Sequence, residues 1–311
     1  MNYLVIGEPC VDLIHKSNGE TLHSYGGILY SLISLAVLSG SKDSVTPLMN
    51  LGEDEFDNVI NILKQYPKIK THGINKVKHP TRKVNLYYNL YNTDKSARIE
   101  KSTEPTYTLD YRQCEGFLKS ADAILVNMIS GVDITLDTLK NIRRNFKGYI
   151  HIDIHNIVMN TKEDGSRVHM PVDNWYEWCT NTDTVQMNEF EIATLTRDKL
   201  SEYRIAEEIL YNRNYDVKGL IVTRGKVGVT GFVRKEKKYG NEKFNDLDHI
   251  EIASVENPKF VDSTGCGDVF ASSFALDYSV NGDFVKSIHF ANRMASYNSS
   301  LEGIGQLERL R

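Results

Sequence analysis

The chain is 311 residues long, with 41% hydrophobic and 25% charged residues and a formal net charge of −4. These are ordinary globular values, sufficient for one large α/β domain. They exclude the basic footprint of a nucleic-acid or anionic-membrane binder, and no apolar run approaches the ~20 residues of a membrane span.

The start, Met1-Asn2-Tyr3-Leu4-Val5-Ile6-Gly7, reads as a β-strand (3–6) and not as a signal peptide. Residues 11–24 then alternate polar and apolar side chains with no helical period, before Tyr25-Gly26-Gly27 leads into an apolar helix at 32–38. Helical periodicity returns at 54–66. Residues 84–91 read as a strand, 92–95 as a turn and 96–101 as a returning strand. With 11–24 they predict a small β-sheet apart from the main body, a lid built from parts of 10–25 and 80–105.

Short buried strands are expected at 123–126, 149–154, 184–186 and 220–223, alternating with helices at 136–146, 189–195 and 201–212. Residues 235–248 read as an exposed hairpin or loop, and Trp175 and Trp178 as packing against the core. Strand–helix alternation predicts an α/β sandwich with a mainly parallel central sheet, whose ligands bind at the carboxyl ends of the strands. No low-complexity linker interrupts it, so a single domain over 1–311 is expected. The four cysteines, Cys10, Cys114, Cys179 and Cys266, lack metal or disulfide spacing, and a cytoplasmic protein is expected.

The most informative run is Val261-Asp262-Ser263-Thr264-Gly265-Cys266-Gly267-Asp268-Val269-Phe270, which passes from an apolar segment through Gly-Cys-Gly into a helix at 268–279. A helix start offers unpaired N–H groups and the positive end of the dipole, a ready site for phosphate. Asp268 is electrostatically misplaced there unless it takes a proton, and that combination suggests phosphoryl transfer. From these residues alone, an Asp capping a helix after a tight turn reads equally well. His151-Ile152-Asp153-Ile154-His155 puts alternate residues on one strand face, but a strand in mid-sheet favours a structural or site-lining role over a metal set. The chain lacks the G-x-x-x-x-G-K-[ST] P-loop, the H-R-D and D-F-G pair, the G-x-S-x-G elbow and the dinucleotide fingerprint.

The full 261–270 run resembles the second signature of the PfkB (ribokinase-like) carbohydrate kinases, Asp-x-Thr-Gly-Ala-Gly-Asp leading into a helix, with Cys266 where Ala is usual. Gly26-Gly27 with Ser31 is similar to the family's Gly-Gly-x-x-x-Asn element, Ser31 standing in the Asn position. Asp12 matches the Asp that grips substrate hydroxyls, and 51–56 is similar to a Gly-x-Asp-x-Phe stretch. Asn188 and Glu191 match Asn-x-x-Glu, although alone they read as a capping pair. Thr223 and Gly225 match the strand–turn that supports the nucleotide, and Asp153 with His155 partly resembles an Asp-x-Asn-x-Arg strand end whose arginine is absent.

The resemblance spans essentially the whole chain and implies a ribokinase-like α/β/α sandwich acting as an ATP-dependent kinase on a small sugar. Asp268 would be the general base, with the backbone of Gly265, Cys266 and Gly267 as anion hole. Asp12, Gly26, Gly27 and Ser31 would bind substrate. Asn188, Glu191, Thr223, Gly225 and Asn292 would serve ATP, with Glu191 holding Mg²⁺ through water. Asp262 and Thr264 would lie near a monovalent cation such as K⁺, and a homodimer through the lid is compatible with the family. Two alternatives stand beside it. One is a nucleoside kinase using Tyr87, Tyr88 and Tyr91, of which alternation puts Tyr87 and Tyr91 on one face. The other is a non-catalytic sugar or nucleotide binder, against which Asp268 speaks.

Overall fold

Runs such as Leu4-Val5-Ile6 and Ile124-Leu125-Val126 have no polar side, so they form strands covered on both faces. The computed structural model describes residues 1–15, 19–88, 98–211, 216–239 and 242–311. Strand β1 (Asn2–Ile6) is followed by β2 (Pro9–His15), β3 (Thr21–Gly27), helix α1 (Ile28–Leu38), β4 (Ser44–Gly52), α2 (Phe56–Leu63) and β5 (Ile74–Val77). Next come β6 (Arg82–Tyr88), β7 (Arg98–Ser102), α3 (Tyr111–Leu118), β8 (Ala123–Asn127), α4 (Leu136–Asn145) and β9 (Tyr149–Asp153). A small hairpin, β10 (Met159–Thr161) and β11 (Arg167–His169), precedes α5 (Trp175–Thr180), β12 (Thr184–Asn188), α6 (Glu189–Leu195) and α7 (Glu202–Leu210). The chain ends with β13 (Gly219–Thr223), β14 (Gly228–Tyr239), β15 (Glu242–Ala253), α8 (Cys266–Asn281) and α9 (Phe284–Asn298).

Among the described residues the main sheet has nine strands in the order β15-β14-β13-β12-β9-β8-β1-β4-β5, parallel from β13 to β5 and antiparallel at the β13–β14–β15 edge. Alternation along each strand splits the core. Leu4, Ile6, Ile124 and Val126 pack on α3–α7, while Tyr3, Val5, Ala123 and Leu125 pack on α1, α2 and α8. Trp178 is buried in the first of these clusters and Trp175 packs against it. The expected lid is a separate four-stranded sheet, β3-β2-β6-β7, with β2 and β6 parallel. The predicted 92–95 turn and Tyr91 lie outside the described residues.

The structure departs from the sequence reading at several elements, among them α1, which begins at Ile28 and not at 32. Residues 44–52, unassigned in the sequence reading, form a buried strand, β4. The 235–248 segment, read as an exposed hairpin or loop, does lie in paired antiparallel strands, but the ladder is longer than expected, Gly228 opposite Ala253 to Tyr239 opposite Glu242, and prolongs the main sheet. The helix after Gly265 begins two residues early, at Cys266. No helix among the described residues is long and apolar enough to cross a membrane.

Candidate active site

The C-terminal edge of the sheet brings the site together. Gly265 sits in the left-handed region (φ 74°, ψ 0°) that favours glycine and ends the incoming loop as the N-cap of α8. Any Cβ there would overlap the Tyr30 ring on α1. No side chain caps α8, so its first-turn amides have no intrahelical partner. One of them is used locally: the Cys266 N–H donates to the Ser263 carbonyl at 3.1 Å.

Asp268 lies in that first turn, and Asn127 at the end of β8 donates to its Oδ1 at 2.7 Å. Asn127 also donates to Ser31 Oγ at 3.1 Å, and Ser31 donates in turn to the Asp268 carbonyl at 3.2 Å. Ser31 is fully buried, so its hydroxyl braces the acid. Gln186 on β12 donates to Asp153 Oδ2 at 3.0 Å and to the Gly267 carbonyl at 3.2 Å. Asn127 and Gln186 were not legible as site residues; their one sequence signal is a polar amide near the carboxyl end of an apolar strand.

Three carboxylates, Asp153, Glu191 and Asp268, surround one imidazole. Burial raises Asp268 above the ordinary carboxylate range, His155 and the Asn127 hydrogen bond oppose it, and Glu191 adds to it. Asp153 is pushed up by burial, then opposed by His155. His155, at φ 40° and with Nδ1 3.6 Å from Glu191 Oε1, is lifted to about 9 by its acidic neighbours against the effect of burial. His151 points elsewhere: it is fully buried, bonded to Thr184 Oγ1 at 2.8 Å and held neutral by burial down to about 3. No group of three or more His, Cys, Asp or Glu among the described residues is arranged to hold a metal directly.

Asn188 and Glu191 form a reciprocal capping box on α6. Asn188 Oδ1 accepts from the Phe190 and Glu191 amides at 2.9 Å, and Glu191 Oε2 accepts from the Asn188 amide at 2.6 Å. Thr223 is the register partner of Asn188, and Gly225 (φ 49°) opens the following turn. Arg224 is committed to Glu202 and to Thr230. Asn292 is buried and donates to the Ala253 carbonyl at 2.8 Å, fastening α9 to the end of β15.

On the lid side, Asp12 is buried against the Cα of Gly26, where a Cβ would overlap its carboxylate, and Cys10 Sγ donates to it at 3.3 Å. Gly27 takes φ 63°, ψ −136° to start α1, a conformation essentially confined to glycine. Asp262 Oδ1 accepts from the Thr264 amide at 3.2 Å. Tyr87 is stacked on His15 with centroids 4.4 Å apart.

Residues 164–306 match the family model described as pfkB family carbohydrate kinase. No curated protein sequence matches the chain. Solved structures superpose on nearly all of it, the following three among them. A pyrophosphate-dependent kinase in the ribokinase family, in a sulfate complex, is 17% identical with a TM-score of 0.74, covering 100% of this chain and 99% of that one. Ribokinase from Thermotoga maritima is 18% identical with a TM-score of 0.68, covering 99% and 98%. A Burkholderia thailandensis nucleoside kinase in complex with inosine is 15% identical with a TM-score of 0.73, covering 99% and 94%. At these identities what is shared is the fold, that of the ribokinase-family kinases.

Proposed function

We propose, for a chain with the ribokinase-family fold and a C-terminal match to the pfkB carbohydrate kinases, that it is an ATP-dependent kinase of a small carbohydrate. The observation that carries the reading is Asp268 itself: an acid in the first turn of an uncapped helix, with its proton affinity raised and one oxygen fixed by Asn127. Because Asn127 occupies Oδ1, Oδ2 is assigned to take the acceptor proton. The Gly265 and Gly267 amides would meet charge on the transferring phosphoryl group. The Cys266 amide joins them only if its turn bond to Ser263 opens.

Asp12, with Gly26 and Gly27 allowing close backbone approach, would hold the sugar under the lid, and Ser31 acts through Asp268. The three clustered carboxylates suit a hydrated Mg²⁺, held through waters by Glu191 and Asn188 and offsetting phosphate charge. Thr223, Gly225 and Asn292 belong to the nucleotide side, and Asp262 with Thr264 to a K⁺ site. We take the chain as one domain acting in the cytoplasm, where its four free thiols fit, as a homodimer if the lids pair.

The test is ADP release on a panel of ribose, fructose, 2-keto-3-deoxygluconate and adenosine. Turnover of a sugar, lost in Asp268→Asn, supports the reading. Turnover of adenosine alone would replace it with a nucleoside kinase. Ligand-induced thermal shifts with no phosphotransfer would leave a binding protein.

A further inference from the structure

The buried face of the lid carries charge that the reaction above does not use. Parallel pairing of β2 with β6 places Cys10 opposite Arg82 and Asp12 opposite Val84, and all four side chains are buried. The β10–β11 hairpin leans on β7 through the Ser102 N–H to Gly165 carbonyl bond of 3.1 Å and brings Arg167 to the same region. Arg82, 2% exposed, is largely balanced, only its Nε lacking an acceptor: it donates to the Ile129 carbonyl at 3.1 Å and Ser102 Oγ at 3.2 Å, with Glu8 Oε2 at 3.9 Å. Arg167 is not. Its side chain is 7% exposed, and only Nη1 meets an acid, Glu100 Oε2 at 3.5 Å.

The other two Arg167 donors, Nε and Nη2, are shut from solvent and reach no acceptor. They lie along one edge of the guanidinium, the edge that meets two oxygens of a carboxylate or phosphate side by side. A buried donor without a partner is costly, and such groups in a folded protein call for an explanation. Burial, and after it the nearby Arg82, pulls the Arg167 proton affinity down to about 10, against the opposing charge of Glu100. A bound oxyanion would give this edge the acceptors it lacks.

We infer that the acceptor is an acidic sugar, carrying a carboxylate or phosphate, and that the Nε–Nη2 edge of Arg167 reads that group. This rests on the sugar-kinase reading, with Asp12 holding hydroxyls on the same small sheet: Cys10, which donates to Asp12 and stands opposite Arg82, is also an electrostatic neighbour of Arg167. Arg167 is then a specificity residue, remote from the proton transfer at Asp268.

The test uses the full chain with Mg–ATP and two matched pairs, an aldonic acid against its aldose and a hexose monophosphate against its hexose. ADP release reads turnover, and calorimetry reads binding without nucleotide. One acid is expected to exceed its neutral partner by about 10⁴–10⁵-fold in kcat/KM, as for a site built around a specific polar group; the two pairs distinguish carboxylate from phosphate. Arg167→Lys keeps the charge but loses the edge, and Arg167→Gln loses both. Each is expected to raise KM for the preferred acid by roughly tenfold or more while kcat moves only a few-fold. Preference for the neutral member in both pairs overturns the inference, as does absence of binding by either acid. Unchanged affinity for the acid in Arg167→Lys, which is the milder change for the fold, overturns it too. An acid that binds through Arg167 but releases no ADP leaves the inference standing and removes the kinase reading instead.

Discussion

Asp268 owes its proton affinity to opposing neighbours: burial raises it, the His155 charge and the Asn127 amide lower it, and Glu191 raises it again. A base must be ionised to act, so kcat should fall on the acid side at a pH above the ordinary carboxylate value. Asn127→Leu removes a donor that favours the ionised form, and the acid limb of the pH–rate profile should then move to higher pH. A hydrogen bond to a charged group is worth about 1.5–3 kcal/mol, so the shift is roughly one to two pH units; an unmoved limb would show that Asn127 does not tune the base. Asp268→Asn should lower kcat by roughly 10²–10⁴-fold, with ATP affinity within a few-fold by calorimetry. At this scale the sequence was partly legible. The acid and its glycines stand in one contiguous run, whereas Asn127 and Gln186 come from strands that only the sheet order brings beside α8.

The start of α8 sets two glycines two residues apart against very different surroundings. At Gly265 a Cβ would meet the Tyr30 ring and an unfavourable φ, whereas at Gly267 it would meet nothing within 4 Å. Gly265→Ala should therefore lower both the melting temperature and kcat, with a backbone cost of about 1–2 kcal/mol added to the displaced ring. Gly267→Ala should melt no lower than the parent, since Ala is the better helix residue by about 0.5–1 kcal/mol, and its effect should appear in turnover or in KM for ATP. Equal destabilisation by the two substitutions would contradict this account. Elements were legible where one pattern dominated. The apolar strands β1, β8 and β13 stood out, but β4 carries Thr46, Pro47 and Asn50 and β14 runs into Arg-Lys-Glu-Lys-Lys. Edge pairing, not composition, makes the latter a strand.

For the molecule as a whole, the sheet interior holds a histidine that resists protonation. His151 stays neutral down to about 3, against 6.5 when unfolded, so between those values the unfolded state binds the extra proton. Stability then rises with pH across that window and is lost as pH falls through it, by about 1.4 kcal/mol for each unit of depression. Urea midpoints should drop less between pH 6.5 and 4 in His151→Gln than in the parent; parallel losses would assign the acid sensitivity to other groups. The sandwich-plus-lid plan was legible from strand–helix alternation and the two stretches that broke it. The sequence offered Tyr87 for stacking on a nucleoside base but gave no sign that its ring is already stacked on His15 across β2 and β6.

Glu8 ties together most of the places where the chain passes between lid and sandwich. Its own backbone is the outward crossing from β1 to β2, and its carbonyl accepts the Ile28 N–H at 3.1 Å on the return into α1. Its carboxylate accepts from the Thr106 amide and hydroxyl, just beyond β7, and faces Arg82 at the foot of β6. Such a knot ties the root of the small sheet directly to the start of α1. Because α1 carries Tyr30 and Ser31 against Gly265 and Asp268, one helix joins the root of the small sheet to the acid at the start of α8, so a change at Glu8 should be felt at Asp268 through α1.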